Sequence, residues 1–209
     1  TDHCACFDIG LGCSGYVYSL SVVGAFMQSN GFSKGLLVTC DPYSKILNPA
    51  DRYTIMLCGD GATVTLLSPE GQLVPTLFEF ATRGADGPAL HNDSGELFMN
   101  GRAVFNFSNT RVPEQIRKLL HRAELTVDDV DWFIFHQGSR FIVDQLTRRL
   151  KVPPEKVPLR LLEHGNTVSS TIPLLLQEYL NGSAGHRFLL SGFGVGLSWA
   201  SCLLERRYD

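Results

Sequence analysis

The chain has 209 residues, of which 44% are hydrophobic and 19% charged, as in an ordinary globular protein with a sizeable core. A net charge of −3 and the lack of any lysine- and arginine-rich run argue against a nucleic-acid-binding protein. No apolar run reaches the ~18 residues of a membrane span, so we expect no membrane partner.

The cysteines are scattered along the chain and show no CxxC spacing. There are six of them: Cys4, Cys6, Cys13, Cys40, Cys58 and Cys202. Cys4 and Cys6 share one face of a predicted strand, which is a poor arrangement for a disulfide. The pattern indicates free thiols in a reducing compartment, so we expect a cytoplasmic protein without a metal site.

The first elements in chain order are a strand, a helix and a second strand. Residues 4–9 predict the first strand, and 15–29 predict a helix with apolar residues at helical spacing. The run Gly35–Cys40 is short and apolar without alternation, which is typical of a buried parallel strand. The three elements together predict a right-handed crossover unit.

The rest of the chain continues this alternation. Further strands are predicted at 63–67, 76–82, 132–135, 187–191 and 197–204. Further helices are predicted at 100–122, with a restart at Pro113, and at 139–150 and 172–180, whereas 84–95 reads as a polar loop. Alternating strands and helices predict an α/β fold.

Cys13 lies at the predicted turn from the first strand into the first helix. The unpaired N–H groups and the dipole of a helix N-terminus favour a thiolate, which is the nucleophilic form. The small residues Gly12 and Ser14 would let a substrate carbonyl approach the backbone. Cys13 is therefore a candidate nucleophile, and the alternative is an inert buried thiol.

Two more polar groups and a glycine loop follow later strands. His136 ends the strand 132–135, Asn166 sits in a turn, and residues 192–196 form a glycine loop after the strand 187–191. Because open α/β sheets place their sites at the carboxyl ends of strands, these groups could meet at Cys13. An imidazole and a carboxamide could then stabilise negative charge on one oxygen. The alternatives are a core histidine, a turn asparagine and a tight turn.

Six segments resemble, in order and nearly in spacing, those of the β-ketoacyl-acyl-carrier-protein synthase III family of the thiolase superfamily. They read FDIGLGCSGYVYSL, PADRYT with CGDGA, MNGRAVF, LTVDDVDWFIFHQ, HGNTVSSTIPL and GFGVGLSW. The resemblance implies a thiolase-like α/β/α/β/α layered fold. It further implies two halves, 1–100 with the nucleophile and 101–209 with the histidine and asparagine.

The resemblance also implies roles for particular residues. Cys13, His136 and Asn166 match the catalytic triad of the family. The backbone N–H groups of Cys13 and Val195 would form the oxyanion hole, and Phe193 matches the phenylalanine beside the nucleophile.

The implied reaction is a ping-pong condensation without a metal or redox cofactor. Cys13 takes an acyl group from an acyl-coenzyme A. A malonyl thioester then binds with its oxygen held by His136 Nε2 and Asn166 Nδ2, loses carbon dioxide, and attacks the acyl-cysteine. The implied partners are coenzyme A thioesters, an acyl carrier protein and a second copy of the chain in a homodimer.

The residues that would meet coenzyme A and the carrier protein are basic. Arg52 matches the arginine that contacts the adenine end of coenzyme A. Phe141 stands where the family has a carrier-docking arginine, and Arg140 precedes it. Arg148 and Arg149 could still meet an acidic carrier, although such a cluster also fits a solvated helix face.

Two further departures from the family pattern are visible. The first β/α units of the family are missing, so we expect a truncated fold that is inactive on its own. Val195 replaces a common glycine, which is expected to narrow the acyl pocket or alter the oxyanion hole. Together the departures favour a specialised relative, such as an acyltransferase of secondary metabolism, over a housekeeping enzyme. A non-catalytic subunit of a condensing complex and a thioester hydrolase are the other readings.

Overall fold

The computed structural model describes residues 3–93, 95–180 and 185–207. Its helices are α1 Gly15–Asn30, α2 Arg52–Ile55, α3 Gly101–Arg122, α4 Arg140–Leu150, α5 Leu161–His164 and α6 Thr171–Leu180. Its strands are β1 Gly35–Cys40, β2 Ala62–Leu67, β3 Leu73–Thr82, β4 Leu90–Asp93, β5 Glu96–Met99, β6 Trp132–Phe135, β7 Arg187–Gly194 and β8 Ser198–Arg206. Short 3-10 turns lie at Tyr43–Lys45, Gly84–Ala89, Pro154–Lys156 and Val168–Ser170.

A four-stranded sheet in the order β3-β8-β7-β6 forms the centre of the molecule. β6 and β7 run parallel, whereas β8 pairs antiparallel with both β7 and β3. Alternate residues of these strands face opposite sides: Phe133 and Leu189 pack with α3 and α4, and Ile134 and Leu190 pack with α1 and α6. The α/β class predicted from the sequence is therefore found, with helices covering both faces of the sheet.

The helix from residue 100 to 122 does not restart at Pro113, contrary to the sequence prediction. Asn100 caps α3, its Oδ1 accepting from Ala103 N–H at 3.1 Å, and the helix runs unbroken through the proline. A proline inside a helix costs about 3 kcal/mol. Here Val112 and Ile116 on either side are fully buried in the core, and this packing offsets the cost.

The predicted first strand and crossover unit are wrong for the described residues. Residues 4–9 form no strand, and none of the described strands pairs with them. β1 is a strand as predicted, but it pairs antiparallel with β2 and buries only alternate side chains. Four apolar side chains on the other face of this strand pair are 59–66% exposed: Leu36 and Val38 of β1, and Val64 and Leu66 of β2.

Two loops contain more regular structure than predicted. Residues 84–95 hold a 3-10 turn and β4, which pairs with β5. β7 extends into the glycine loop as far as Gly194, which pairs with Ser198. The division into halves at residue 100 stays a prediction, and β3 on the N-terminal side of it joins the sheet of β6, β7 and β8.

Candidate active site

Cys13 lies in the turn that leads into α1, and 6% of it is exposed. Gly15 N–H donates to the Gly12 carbonyl at 2.7 Å and closes the turn around the cysteine. The next residue, Ser14, is buried, and its hydroxyl hydrogen-bonds the Ser198 hydroxyl at 2.6 Å. The turn is thereby fixed to the start of β8.

Burial decides the protonation state of Cys13. Loss of solvent raises the pKa of its thiol to about 12, and the Asp41 carboxylate and Cys58 add to the rise. Hydrogen bonds from the backbone N–H groups of Cys13 and Val195 lower this pKa but do not offset the burial. The thiolate expected from the helix N-terminus is therefore not the resting form, because desolvation outweighs the backbone donors.

The end of β7 approaches Cys13 so closely that only glycine fits there. A Cβ atom on Gly194 would lie 2.7 Å from Cys13 Sγ, and one on Gly192 would lie 2.5 Å from the Cys13 carbonyl oxygen. Both glycines thus allow β7 to lie directly against Cys13, and they do not merely form the tight turn that was the alternative interpretation of the sequence.

His136 is held at the end of β6 by backbone and side-chain contacts. Its N–H donates to the Ser191 carbonyl at 2.9 Å, and Nδ1 lies 2.8 Å from Thr171 Oγ1. The ring is 3% exposed and meets Phe193 edge-on, with 5.4 Å between ring centroids. Burial lowers the pKa of the imidazole to about 3, although a hydrogen bond with the Val168 backbone opposes the shift. The ring is therefore neutral at pH 7.

Asn166 is positioned by the strand-like segment beside it. Its N–H donates to the Leu57 carbonyl at 2.7 Å, and its own carbonyl accepts from Gly59 N–H at 3.0 Å. Its side-chain Oδ1 accepts from Val168 N–H at 2.9 Å. Because Oδ1 is occupied in this way, the amide NH2 group is the part of the side chain that can donate to a ligand.

Val168 connects the three candidate catalytic residues. Besides its bond to Asn166 and its backbone contact with His136, its Cγ1 lies 3.6 Å from the position that a Cβ on Gly12 would take, next to Cys13. Its φ of 56° places a β-branched residue in the left-handed region. Such conformations cost about 1–3 kcal/mol and concentrate at functional sites. The sequence prediction missed this residue.

Five predicted site residues thus lie in one cluster, in which Cys13, His136 and Phe193 are buried and Asn166 and Val195 are half-buried. The turn before α1, the end of β6, the turn after α5 and the end of β7 each contribute. A thiol, a neutral imidazole, a carboxamide and two backbone N–H donors are the groups that acyl transfer needs. Their catalytic roles stay predictions.

The predicted arginines lie on the surface and outside this cluster. Arg52 begins α2, and Arg140 at the start of α4 pairs with Asp144 at 3.7 Å while 73% exposed. Arg148 and Arg149 are exposed in the last turn of α4. The predicted contacts of these arginines with coenzyme A and a carrier protein stay predictions.

Phe141, which stands where the family resemblance predicts an arginine, is exposed on α4. It stacks on Phe105 of α3 with 4.9 Å between ring centroids. The surface beside Arg140 is therefore aromatic.

An open cavity of about 690 Å³ lies away from these residues. Its lining includes Arg83, Asp86, Asn106, Arg111 and Leu197 but none of the predicted site residues.

Among the described residues, no group of three histidine, cysteine or acidic side chains is placed to hold a metal ion. No helix in the described part of the chain is long and apolar enough to cross a membrane.

Asp41 and Tyr43 interact electrostatically with Cys13. The Asp41 carboxylate accepts from both the N–H and the hydroxyl of Ser169, and it raises the pKa of Cys13. Tyr43, whose pKa burial raises, is influenced by the same carboxylate and by the two thiols. Asp41 was not singled out from the sequence, because nothing in the local pattern places it near residue 13.

Replacing Asp41 with asparagine is expected to speed alkylation of Cys13 several-fold at pH 8. Removal of the negative charge removes one cause of the raised pKa, so a larger fraction of the thiol is ionised at a given pH. The pH dependence of Cys13 modification by iodoacetamide measures this. Asp129→Asn is the control, since Asp129 likewise accepts from an N–H and a hydroxyl, those of Thr126. Equal rates for both variants would contradict the role of Asp41.

Comparison with known proteins gives one consistent result. Residues 7–85 match the family model described as 3-oxoacyl-[acyl-carrier-protein (ACP)] synthase III, and residues 120–206 match the model of its C terminal part. The β-ketoacyl-[acyl-carrier-protein] synthase III of Synechocystis sp. is 34% identical over 95% of the chain and 67% of its own length. The chain thus spans about two thirds of that relative.

Solved structures agree with the sequence matches. A crystal structure of a 3-oxoacyl-(acyl-carrier-protein) synthase III superposes with a TM-score of 0.89 and 36% identity, covering 98% of this chain and 70% of that one. The priming β-ketosynthase from the R1128 polyketide biosynthetic pathway superposes with a TM-score of 0.84 and 29% identity, covering 97% and 66%.

Proposed function

The chain belongs to the 3-oxoacyl-[acyl-carrier-protein] synthase III family, and on that premise we propose that Cys13 is the nucleophile of an acyl-transferring, carbon–carbon bond-forming enzyme. The observation that carries the proposal is the cluster around Val168, whose backbone hydrogen-bonds Asn166 and His136 and whose side chain lies beside Gly12, next to Cys13. Three residues far apart in the sequence share one buried neighbour. A purely structural fold gives no reason for this combination of groups.

The first half-reaction is acyl transfer from an acyl-coenzyme A to Cys13. The sulfur attacks the thioester carbonyl, and coenzyme A leaves as the thiol component. The Cys13 and Val195 N–H groups, which hydrogen-bond the sulfur in the free protein, are placed to hold the carbonyl oxygen as charge develops on it. Phe193 is buried edge-on against the His136 ring and helps to exclude water.

The second half-reaction is a decarboxylative condensation with a malonyl thioester. The thioester oxygen is held by Asn166 Nδ2 and His136 Nε2, which stabilise the enolate formed as carbon dioxide leaves. The enolate carbon attacks acyl-Cys13, and a β-ketoacyl thioester is released. The reaction proceeds on thioester substrates with this chain's own side chains.

The partners follow from this chemistry. Arg52 on α2 is proposed to meet coenzyme A, and Arg140, Arg148 and Arg149 on α4 are proposed to meet an acidic acyl carrier protein. The protein is proposed to act as a homodimer. The described cysteines carry free thiols, which supports a reducing compartment such as the cytoplasm.

Intact-protein mass spectrometry tests the proposal. The protein, expressed from its natural coding sequence, is incubated with acetyl-, isobutyryl- and longer acyl-coenzyme A, and a single acyl adduct on Cys13 is expected. Addition of malonyl-coenzyme A or a malonyl carrier protein should then discharge the adduct as a β-ketoacyl product. Cys13→Ser supplies the control for adducts elsewhere.

The failure of each step favours a different alternative. No adduct with any acyl donor would favour a non-catalytic subunit of a condensing complex. An adduct that water discharges without a malonyl donor would favour a thioester hydrolase. An adduct that passes to another nucleophile would favour a specialised acyltransferase of secondary metabolism, for which the similarity to a polyketide priming synthase is the supporting observation.

A further inference from the structure

The 3-10 turn Val168–Ser170, called the 168–170 turn below, makes the hydrogen bond that orients the Asn166 side chain. Val168 N–H donates to Asn166 Oδ1 at 2.9 Å and so fixes which end of the carboxamide can donate to a ligand. The φ of 56° at Val168 is one that β-branched residues rarely adopt, and such a conformation persists only where its surroundings enforce it. Groups that hold this turn are therefore candidates for positioning Asn166.

Two side chains at the end of β1 hold the 168–170 turn. The Asp41 oxygen Oδ2 accepts from Ser169 N–H at 3.1 Å and also accepts from the Ser169 hydroxyl. Thr39 Oγ1 lies 2.7 Å from Ser170 Oγ. Thr39 and Asp41 are two residues apart and so lie on the same side of an extended chain. Both contacts are long-range, joining positions 131 and 128 residues apart in the sequence.

The Asp41 carboxylate is unfavourable for the nucleophile that it lies near. Burial is the main cause of the raised pKa of Cys13, and the negative charge of Asp41 raises this pKa further. An asparagine could accept hydrogen bonds here without that effect. A carboxylate, however, makes charge-assisted hydrogen bonds that are roughly twice as strong as neutral ones. A stronger hold on Ser169 is therefore what the carboxylate adds at this position.

We propose that Asp41 is a positioning residue that, through Ser169, holds the 168–170 turn in the conformation that presents the Asn166 amide to the enolate. The inference rests on the proposed function for the role of Asn166 in condensation. The hold of Asp41 on the turn does not depend on that role and is measurable without substrate.

Loss of Asp41 should affect the two half-reactions in different directions. Removing its charge takes away one contribution to the raised pKa of Cys13, although burial remains, so acyl uptake should be no slower than in the wild type. A turn that is no longer held at Ser169 presents the Asn166 amide for only part of the time, so condensation should be slower. General destabilisation would slow both half-reactions, and the split therefore separates positioning from a merely structural role.

Amide hydrogen exchange measured by NMR reads the turn without substrate. In Asp41→Ala the Ser169 N–H loses its own acceptor, whereas the Val168 N–H keeps its acceptor, Asn166 Oδ1. Exchange of the Val168 N–H should nevertheless become at least about tenfold faster, because opening of the whole turn exposes it. Unchanged exchange at Val168 would overturn the inference.

Three further variants complete the exchange experiment. Asp41→Asn keeps an oxygen acceptor, so its Val168 exchange rate should lie between those of the wild type and Asp41→Ala. Ser169→Ala removes only the hydroxyl donor and should also speed the exchange, which keeps the test available if Asp41→Ala does not fold. Asp129→Ala is the matched control and should leave the rate unchanged, since Asp129 Oδ2 likewise accepts from an N–H and a hydroxyl, those of Thr126.

Kinetics of the two half-reactions add a second readout. Asp41→Ala should slow condensation of the acyl-enzyme with a malonyl thioester at least about tenfold, because misplacement of a catalytic group is costly. Acyl-adduct formation at Cys13 in the same variant should not slow, and Asp41→Asn should again be intermediate in condensation. Equal slowing of both half-reactions in Asp41→Ala would refute the positioning role.

The two proposals fail separately. Faster Val168 exchange in Asp41→Ala, together with no acyl adduct on the wild-type protein, would reject only the proposed function. Acyl uptake and condensation by the wild-type protein, together with unchanged Val168 exchange in Asp41→Ala, would reject only the role of Asp41.

Discussion

Replacing Asn166 with aspartate is expected to abolish condensation while Cys13 still takes up an acyl group. Oδ1 of Asn166 accepts from Val168 N–H at 2.9 Å, and a carboxylate oxygen can do the same, so the turn should keep its shape. The NH2 group, however, becomes a second anionic oxygen where the enolate charge develops. Loss of one such donor costs about 10²–10³ in rate, and its reversal in sign costs more.

The measurement separates the two half-reactions. Mass spectrometry follows the acyl adduct on Cys13, and product formation from a malonyl thioester should fall by at least about 10³-fold. Asn100→Asp is the matched control, because Asn100 Oδ1 likewise accepts from a backbone N–H, here at the start of α3, where a negative charge is favourable. An unchanged condensation rate in Asn166→Asp would refute the role of Asn166.

The sequence was sufficient for the fold class and the family. The α/β class, the thiolase-like architecture and the family are confirmed. Cys13, His136 and Asn166 lie at turns that follow short apolar runs or flank helices, and such positions can be recognised because the pattern of the chain changes there. Of the three, only His136 follows a strand of the central sheet, whereas Cys13 lies in the turn before α1 and Asn166 in the turn after α5, so the rule of strand ends alone does not bring them together.

The errors concern contacts with residues distant in sequence. Residues 4–9 look like a strand because they are apolar, yet a strand needs a neighbour, and none of the described strands pairs with them. Pro113 looks like a helix start, but burial of the residues around it overrides that preference. The local sequence at Cys13 indicates a thiolate, whereas the depth of burial, which only the fold sets, raises its pKa.

Val168 and Thr171 were missed for the same reason. In the sequence, both look like ordinary residues between a turn and a helix. Nothing in the local pattern predicts that a valine adopts a left-handed backbone conformation or that a threonine hydrogen-bonds a histidine ring. Strain at Val168 is visible only in its backbone angle. The signal that could have identified them is the presence of β-branched residues close in sequence to the candidate catalytic asparagine.

Replacing Gly194 with alanine is expected to reduce acylation of Cys13 by about 100-fold. The new Cβ would lie 2.7 Å from Cys13 Sγ and 2.9 Å from Cys13 Cβ, whereas carbon contacts are comfortable at about 3.5–4.0 Å. β7 lies inside the central sheet and cannot shift easily, so the sulfur has to move by about 1 Å. A displacement of that size can cost about 10²-fold in rate. Overpacking should also lower the free energy of unfolding by about 1–3 kcal/mol.

Gly10→Ala tests whether the effect comes from contact or merely from adding a methyl group near Cys13. Gly10 lies three residues before the cysteine, and a Cβ there would meet nothing within 4 Å among the described residues. Its acylation rate and melting temperature should therefore match those of the wild type. Gly194 has no left-handed backbone angle, so alanine is disfavoured there only by the neighbouring sulfur and its Cβ. If Gly194→Ala were acylated at the wild-type rate, the sulfur would not be held against β7, and the oxyanion-hole role of the adjacent Val195 N–H would lose its geometric basis.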